Sequence, residues 1–391
     1  MSTPAFDTAP DWPVGTDSFV QPRRAAFWVL IALIVIGFVY TARMFTMGAR
    51  VVPVTVALGV VVWAAYAWLF VLAFRLLDLL EEHPPEAFVL AFGWGGLGAV
   101  FFAVPANVAF QSLCAKLISP EFVATWGPAV AGPTSEEFLK VAGVVLLILV
   151  ARASFQTYLS VLSIGAMVGL GFQVVENLSD TVQLAMHFPS ESQVRPVLLN
   201  LLMRGLLSGL WTHAAYTTVA SFGIAWYLLN PGRSRWQRLG MVAACLALAW
   251  GMHFVWNSPL LEDRFDDSLL GTAELLVAKG VPVMIAAALI WRVATRESGA
   301  WLHALAAYFV PERELIADDE WMRLGAPLQR LRAVREVRLA QGRRAGRQKR
   351  RMQREQLRLV RQAAAHGRGL QTLRHERAIR RLRALLGRAG R

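Results

Sequence analysis

Eight segments of the chain are long and apolar enough to cross a lipid bilayer as α-helices. A spanning helix needs roughly 20 mostly apolar residues, because the hydrocarbon core is about 30 Å thick and each helical residue advances about 1.5 Å. The segments cover residues 26–43, 53–74, 87–110, 137–156, 158–177, 203–229, 239–259 and 269–292. A chain of 391 residues with 55% hydrophobic residues and a mean hydropathy of +0.43 is not a soluble globule. The pattern predicts an all-α fold, a polytopic membrane helical bundle of about eight transmembrane helices.

Small residues predict where these helices approach one another most closely. Gly165, Gly169 and Gly171 lie in the fifth segment, and Gly205 and Gly209 lie near the start of the sixth. Without a Cβ atom, such positions allow two helix backbones to come into contact inside a membrane. We therefore expect the fifth and sixth segments to approach neighbouring helices closely.

The charge of the chain is distributed very unevenly. Residues 323–391 contain 22 Lys and Arg against three acids, a net charge of +19. Because the whole chain has 40 basic and 27 acidic residues, the first 322 residues contain 18 and 24, a net charge of −6. This contrast predicts three regions, which are an N-terminal cytoplasmic segment (1–25), a transmembrane domain (26–295) and a basic cytoplasmic tail (296–391).

The basic tail has a helical pattern from about Glu314 onward, so it is predicted to be helical or disordered. A partial apolar stripe would consist of Leu370, Leu373, Leu382 and Leu385. Arginines next to a bilayer are attracted to anionic lipid headgroups, which are the predicted partner of the tail. Nucleic acid is a less favoured partner, because few aromatic residues lie between the arginines and no nucleic-acid-binding motif is present. In a third interpretation, the tail is a solvated segment that anchors the orientation of the chain and has no binding partner.

Basic residues at the ends of the apolar segments indicate the orientation of the bundle. Arg23 and Arg24 precede the first segment, Arg152 ends the fourth, and three arginines lie in the loop 230–238. With an even number of spans, these residues and the tail all fall on the cytoplasmic side. We therefore expect a multi-pass protein of the cell membrane with both termini in the cytoplasm.

Polar clusters interrupt four of the apolar segments. They are Glu136-Glu137 with Lys140, Glu176-Asn177, His213, and His253 with Asn257. Ionisable side chains inside a bilayer are rare and usually have a function, because burying their charge is costly. In the orientation above, all four clusters fall in the outer third of the bilayer. This common depth predicts that they form one site facing the extracytoplasmic side.

Helical spacing and residue type indicate the chemistry of this site. Lys140 is three residues from Glu137 and four from Glu136, so it can neutralise either carboxylate. A carboxylate can act as the general base for a water molecule, or carboxylate and imidazole groups can hold a metal that acidifies the water. An amide or imidazole can stabilise an oxyanion. Arg204, nine residues before His213, is predicted to lie on the opposite helix face and not to touch it.

At these residues the chain resembles the PrsW family of intramembrane proteases, which is related to the CAAX-prenyl-protease and bacteriocin-processing superfamily. The matching motifs are Glu136-Glu137-x-x-Lys140, Phe172-x-x-x-Glu176-Asn177, His213 and His253-x-x-x-Asn257. The resemblance covers about residues 87–292. The chain departs from the family pattern at Ser135, where some members have a third Glu, and at Asp180, where an aromatic residue is frequent.

The resemblance implies a peptidase domain over residues 26–295. Glu136 or Glu137 would activate water. The catalytic site would be completed by Glu176, His213 and His253, and Asn257 would stabilise the tetrahedral intermediate. Lys140 and Asn177 would support them. Family members are described as metalloproteases, although the superfamily can also be read as glutamate-dependent and metal-independent. A divalent metal such as zinc would have Glu176, His213 and His253 as candidate ligands. Substrates of relatives include membrane-anchored anti-sigma factors.

Other interpretations of the same residues remain open at the level of sequence. Glu136 and Glu137 can stabilise a helix N-terminus, where acids are favoured, but Glu176 ends its predicted segment and has no such explanation. Intramembrane Glu and His also serve as proton relays, which predicts a proton-coupled transporter as the first alternative. The second alternative is a catalytically silent scaffold in which the tail is the functional part.

Overall fold

The computed structural model describes residues 17–76, 83–187, 192–266 and 268–389. Residues 1–16 of the predicted N-terminal segment lie outside the described residues. Throughout the described part, the regular secondary structure is helical and contains no strand. The prediction of an all-α membrane bundle is therefore confirmed.

Six helices or helix pairs are long and apolar enough to span a membrane within the described part of the chain. They are α1 (Ala25–Val51), α2 (Pro53–Leu76), α3 (Pro85–Gly93) continued through a wide helical turn by α4 (Val100–Leu117), α6 (Tyr158–His187), α9 (Arg235–Asn257) and α10 (Leu269–Phe309). The other two predicted segments correspond to α5 (Pro120–Val150), which has charged residues within it, and to α8 (His213–Leu229), which is only 17 residues long.

Helix α5 begins much earlier than the predicted residue 137. The side chain of Ser119 caps its N-terminus by accepting a hydrogen bond from the backbone N–H of Phe122. The helix then continues through Pro128 and Pro133, which membrane helices tolerate when neighbouring groups satisfy the freed carbonyls. Glu136 and Glu137 therefore lie inside the helix, and the helix N-terminus explanation for them is wrong.

The helices α6 and α8 also differ from their predicted segments. Helix α6 extends to His187, so Glu176 lies within it and not at its end. The predicted helix 203–229 is broken: α7 (Arg195–Asn200) leads into a π-helical stretch (Leu201–Leu207), followed by a non-helical connection at 208–212. His213 is the first residue of α8 and follows this break directly.

Helix α6 occupies the centre of the bundle, and its glycines make the close contacts that the sequence predicts. A Cβ atom at Gly169 would lie 2.3 Å from the carbonyl oxygen of His213 on α8. A Cβ atom at Gly171 would lie 2.1 Å from the carbonyl oxygen of Phe92 on α3. Such distances are sterically impossible, so only glycine permits α6 to touch both neighbours along its length.

The described residues of the basic tail form a packed helical unit. Helix α10 continues past the bilayer-length segment and enters a second core with α11 (Asp318–Leu324), α12 (Pro327–His366) and α13 (Leu370–Ala389). Helix α12 is kinked at Gly342, whose φ of 88° favours glycine. The predicted stripe is only partly correct, because Leu382 is buried with Ile379 whereas Leu370 and Leu373 are exposed.

Candidate active site

Helices α5, α6, α8 and α9 bring the four predicted polar clusters into one network. Lys140 Nζ donates to Glu137 Oε1 at 2.6 Å and lies 2.9 Å from His213 Nδ1. His253 Nδ1 lies 2.8 Å from the same Glu137 oxygen. On the opposite edge of its ring, His213 Nε2 lies 2.6 Å from Glu176 Oε2. The residues that were predicted to meet are therefore in direct contact.

The adjacent carboxylates of Glu136 and Glu137 have different surroundings. Glu137 is completely buried, and its Oε1 contacts both Lys140 and His253. Glu136 instead accepts a hydrogen bond at Oε1 from Asn107 Nδ2, at 2.9 Å, while its Oε2 has no hydrogen-bond partner among the described residues. That oxygen lies 3.9 Å from His213 Nδ1 and 3.9 Å from His253 Nε2. Glu136 therefore presents a free oxygen to both histidines, whereas Glu137 holds the network together.

The carboxylates of Glu176 and Glu137 determine which ring nitrogen carries the proton in His213 and in His253. An ionised carboxylate only accepts hydrogen bonds, so a neutral histidine beside it carries its proton on the nitrogen that faces the carboxylate. This nitrogen is Nε2 in His213, which faces Glu176, and Nδ1 in His253, which faces Glu137. The remaining nitrogens, His213 Nδ1 and His253 Nε2, carry lone pairs, and each lies next to a donor, Lys140 Nζ at 2.9 Å and Asn257 Nδ2 at 3.1 Å respectively. Both of them are on the side of the ring that faces Glu136.

This donor set fits a metal ion of the kind that imidazole and carboxylate ligands prefer. One ligand atom each from Glu136, His213 and His253 lies within 4.8 Å of the others. Two imidazoles and one carboxylate form a common catalytic metal site. In such sites the second ring nitrogen is typically held by another carboxylate, which is the position of Glu176 and Glu137 here. Glu176, predicted as a metal ligand, lies on the far edge of the His213 ring from this group.

The two asparagines predicted from the motifs lie at opposite ends of the network. Asn257 ends α9, and its Nδ2 lies 3.1 Å from His253 Nε2. Asn177 is buried and accepts a hydrogen bond at Oδ1 from Arg204 Nε, at 2.8 Å. Asn257 is therefore beside the lone pair of a histidine, whereas Asn177 is connected to the site through Arg204.

Arg204 is a residue of the site that sequence reasoning missed. It does not touch His213, as expected, but its Nη2 lies 3.1 Å from Glu176 Oε2, the oxygen that also faces His213. It also forms an ion pair with Asp180. A single straight helix over 203–229 would turn Arg204 away, but the break before His213 lets it point at α6. The presence of an arginine in an apolar stretch was the feature of the sequence that could have indicated its place in the site.

Asn107 and Lys279 were also missed, and each fixes a part of the site. Asn107 on α4 holds Glu136, as described above, and also accepts a hydrogen bond from Ser135 Oγ at 2.5 Å. Lys279 on α10 is nearly buried, and its Nζ donates to the carbonyl oxygen of Ser258 at 2.6 Å, next to the end of α9. Each is an isolated polar residue in an apolar segment, which was the signal for both.

The centre of the network is enclosed, and its edge is partly open. The side chains of Glu136, His213 and His253 are at most 6% exposed, whereas those of Glu176 and Arg204 are 25% and 36% exposed. Water is largely excluded from the central carboxylates and imidazoles, so their electrostatic interactions are strong. The partly exposed edge connects the centre to the surface of the protein.

A buried group of carboxylates and histidines, carried by apolar helices, has the composition of a membrane-embedded hydrolytic centre. The chain matches a model of the PrsW family of intramembrane metalloproteases over residues 83–291, which is more than half of its length. The chain belongs to this family. No curated protein and no solved structure matches it. The predicted family, the assignment as a hydrolase of peptide bonds and the multi-pass membrane character are therefore confirmed.

Proposed function

We propose that this intramembrane peptidase cleaves peptide bonds of another membrane protein close to the membrane surface. The observation that carries this proposal is the buried group of Glu136, His213 and His253, in which a carboxylate oxygen without a hydrogen-bond partner lies 3.9 Å from a nitrogen of each histidine. By resemblance to the family, a membrane-anchored protein of the anti-sigma-factor kind is the proposed substrate class. Membership in a protease family favours this function over the proton-coupled transporter and the silent scaffold.

Each residue of the site has a proposed role that follows from its contacts. Glu136 is the proposed carboxylate next to the attacking water, because its Oε2 has no hydrogen-bond partner among the described residues and lies 3.9 Å from a ring nitrogen of both His213 and His253. Glu137 also has an unpartnered oxygen, Oε2, but Lys140 and His253 both contact its Oε1, so its proposed role is to orient His253 and to balance the charge of Lys140. Glu176 orients His213 in the same way.

The transition state of amide hydrolysis develops negative charge on the carbonyl oxygen, which needs a nearby donor. Asn257 Nδ2 is the proposed donor, because it lies beside His253 at the end of α9. Asn177 supports the site by accepting from Arg204, which in turn contacts Glu176. These roles use hydrogen-bonding groups that the fold already holds in position.

The metal that the family description implies would be held by Glu136, His213 and His253, and Glu136 Oε2 would then act on the attacking water through the ion. When bound, such an ion lowers the pKa of a coordinated water and polarises the scissile carbonyl. Zinc is the proposed ion, since imidazole and carboxylate are among its usual ligands. Glu176 and Glu137 would fix both imidazoles for binding, which strengthens metal affinity.

The orientation and the remaining partners are also proposals. Charge placement supports an enzyme with both termini in the cytoplasm and its site toward the extracytoplasmic side. The basic tail then lies on the cytoplasmic side, where it contacts anionic lipid headgroups. Nucleic acid is not a proposed partner.

The test is co-expression of a candidate membrane substrate with the wild-type chain and with single alanine variants. The variants are Glu136→Ala, Glu137→Ala, Glu176→Ala, His213→Ala and His253→Ala. Glu121→Gln is the matched control, because Glu121 is an exposed acid on the same helix as Glu136. We expect processing to stop in the five variants and to continue in the control. Processing that survives in all five at normal expression would exclude the proposed site.

Metal analysis of the purified protein tests the proposed ligands separately from activity. Elemental analysis of wild type is expected to find about one equivalent of metal per chain, and His213→Ala and His253→Ala are expected to lose it. Retention of the metal in both histidine variants would contradict the proposed ligand set.

A further inference from the structure

The tail helix α12 carries a row of exposed arginines just after its kink at Gly342. Arg343, Arg347 and Arg351 follow one another at intervals of four residues, so they lie on one face of the helix. All three are exposed, and no ion pair joins any of them to another described residue. We refer to these three residues as the arginine stripe.

The acids of residues 323–391 do not compensate the charge of the stripe. The segment 323–391 has only three acids, and each of them already has a basic partner in the tail. Glu336 pairs with Arg323, Glu355 lies 2.6 Å from His375, and Glu376 lies 2.8 Å from Arg368. The arginine stripe therefore presents uncompensated positive charge to its surroundings.

A contact between the tail and a spanning helix fixes the height of the stripe relative to the membrane. Arg350 Nη2 donates to the carbonyl oxygen of Arg75 at 2.5 Å. Arg75 lies in the last turn of α2, a helix of 24 residues, which is about 36 Å long and so reaches just beyond the hydrocarbon core. Arg347 and Arg351 lie within about one turn of Arg350, roughly 5 Å along the helix axis. These two arginines are therefore at the depth of the lipid headgroups, and Arg343 lies roughly 10 Å from Arg350 along the same helix.

The fold also holds the stripe rigidly at this position. Met352, Leu359 and Val360 on the buried side of α12 pack into the tail core, which also contains Leu302 and Leu305 of α10. Because α10 is one continuous helix from the bundle into this core, the tail is not connected to the membrane by a flexible linker. The arginines cannot move far from the bilayer surface without unfolding part of the unit.

We propose that the arginine stripe binds the phosphate groups of anionic phospholipids in the leaflet at which α2 ends. Guanidinium groups form bidentate hydrogen bonds with phosphate, which suits a surface that contains arginine at all three positions. This inference deepens the lipid contact proposed above and does not depend on peptidase activity. Nucleic acid fits less well, since no aromatic residue lies between 343 and 351 to stack on bases.

The proposal is tested with the full chain purified in an uncharged detergent and titrated with phosphatidylglycerol or phosphatidylcholine in mixed micelles. Native mass spectrometry counts the bound lipids. The test variant is the triple substitution Arg343→Gln, Arg347→Gln and Arg351→Gln. The matched control removes the same charge from α13 by Arg374→Gln, Arg377→Gln and Arg381→Gln. Those arginines are also exposed, and α13 has no described hydrogen bond to a spanning helix.

The stripe variant is expected to bind phosphatidylglycerol roughly 100-fold more weakly than wild type, at about fivefold for each arginine. The α13 control is expected to stay within about threefold of wild type, since α13 has no described hydrogen bond that holds it beside a spanning helix. Equal losses in the two variants, or equal binding of phosphatidylcholine, would overturn the stripe as a specific surface. Displacement of the lipid by an RNA or DNA oligonucleotide, with the same dependence on the stripe, would assign the surface to nucleic acid instead. Substrate processing, measured in parallel, reports on the peptidase proposal independently of these outcomes.

Discussion

Exchanging each of the adjacent acids Glu136 and Glu137 for glutamine is expected to give opposite phenotypes. Glutamine has the same shape as glutamate but lacks its charge. In Glu137→Gln, the amide oxygen can still accept from Lys140 and from His253 Nδ1, but the ammonium of Lys140 loses the negative charge that lies 2.6 Å from it. In Glu136→Gln, the amide oxygen can still accept from Asn107, and only the free oxygen changes. Glu137 should therefore matter for folding, and Glu136 for catalysis.

The magnitudes follow from burial. The side chains of Lys140 and Glu137 are 0% exposed, so water does not screen the loss of their interaction. Removing one partner of a buried ion pair costs about 3–5 kcal/mol, because the other charge stays buried without compensation. For Glu136→Gln we expect a change in unfolding free energy within about 1 kcal/mol, since the hydrogen bond from Asn107 is retained. Removing the central carboxylate should lower the rate by at least about 10²-fold, the range for a lost general base.

Stability is measured by unfolding of the purified variants in bicelles, and activity by cleavage of a fused transmembrane substrate. The double variant Glu137→Gln with Lys140→Met is the control, because removing both charges should restore most of the lost stability. If the two single variants are equally stable, or if Glu136→Gln is the less stable one, the assignment of Glu137 as the structural carboxylate is wrong.

Three further predictions concern other parts of the chain. Arg204→Gln should weaken metal binding by about 10–100-fold, because Glu176 would orient His213 less firmly. Arg204→Lys should restore part of the lost affinity. If metal titrations give the wild-type affinity for Arg204→Gln, Arg204 does not help Glu176 to orient His213. Gly95→Ala should destabilise the bundle by about 1–3 kcal/mol or more in the same unfolding assay. The reason is that a Cβ atom at position 95 would lie 1.9 Å from the carbonyl oxygen of Val168. A variant as stable as wild type would refute this close contact. Burial raises the pKa of Glu320, but Lys349 and Arg383 outweigh it and lower the pKa overall, so Glu320 stabilises the tail above about pH 4.3. Protection of the tail amides from hydrogen exchange, relative to their intrinsic rate at each pH, should therefore decrease below about pH 4.3 in wild type, and should depend less on pH in Glu320→Gln.

The convergence of the four clusters could be predicted because each is a costly exception in an apolar segment. Burial of Glu136, Glu176, His213 and His253 in separate places would leave several uncompensated polar groups in the membrane. In one shared site, these polar groups compensate one another. This prediction needs only the order of the apolar segments and the approximate depth of each polar cluster in the membrane. The structure shows the contacts that result, down to a single oxygen shared by Lys140 and His253.

The different roles of the two carboxylates could not be predicted from spacing. Lys140 is within helical reach of both Glu136 and Glu137, so the choice depends on α9, which brings His253 to Glu137. The early start of α5 was also hidden, because Pro133 is typical of the first turn of a helix and here lies within one. In each case the deciding contact comes from another helix.

The break before His213 is a third feature that hydropathy does not reveal. The residues 203–229 are apolar enough for one continuous helix, and nothing in their average composition marks the interruption. Irregular backbone at membrane depth is tolerated where protein surrounds it, and here Gln173 donates to the carbonyl oxygen of Gly209 at 3.1 Å. Only tertiary contacts of this kind make the break stable.

The ion pairs around the site have a consequence for its total electric charge. The acidic members of the connected network are Glu136, Glu137, Glu176 and Asp180, and the basic members are Lys140 and Arg204. With all six ionised and both histidines neutral, four negative and two positive charges leave a formal charge of −2. A surplus of this size is expensive away from water. One divalent cation cancels it completely, and two protons do the same, so metal and protons compete for this network of side chains.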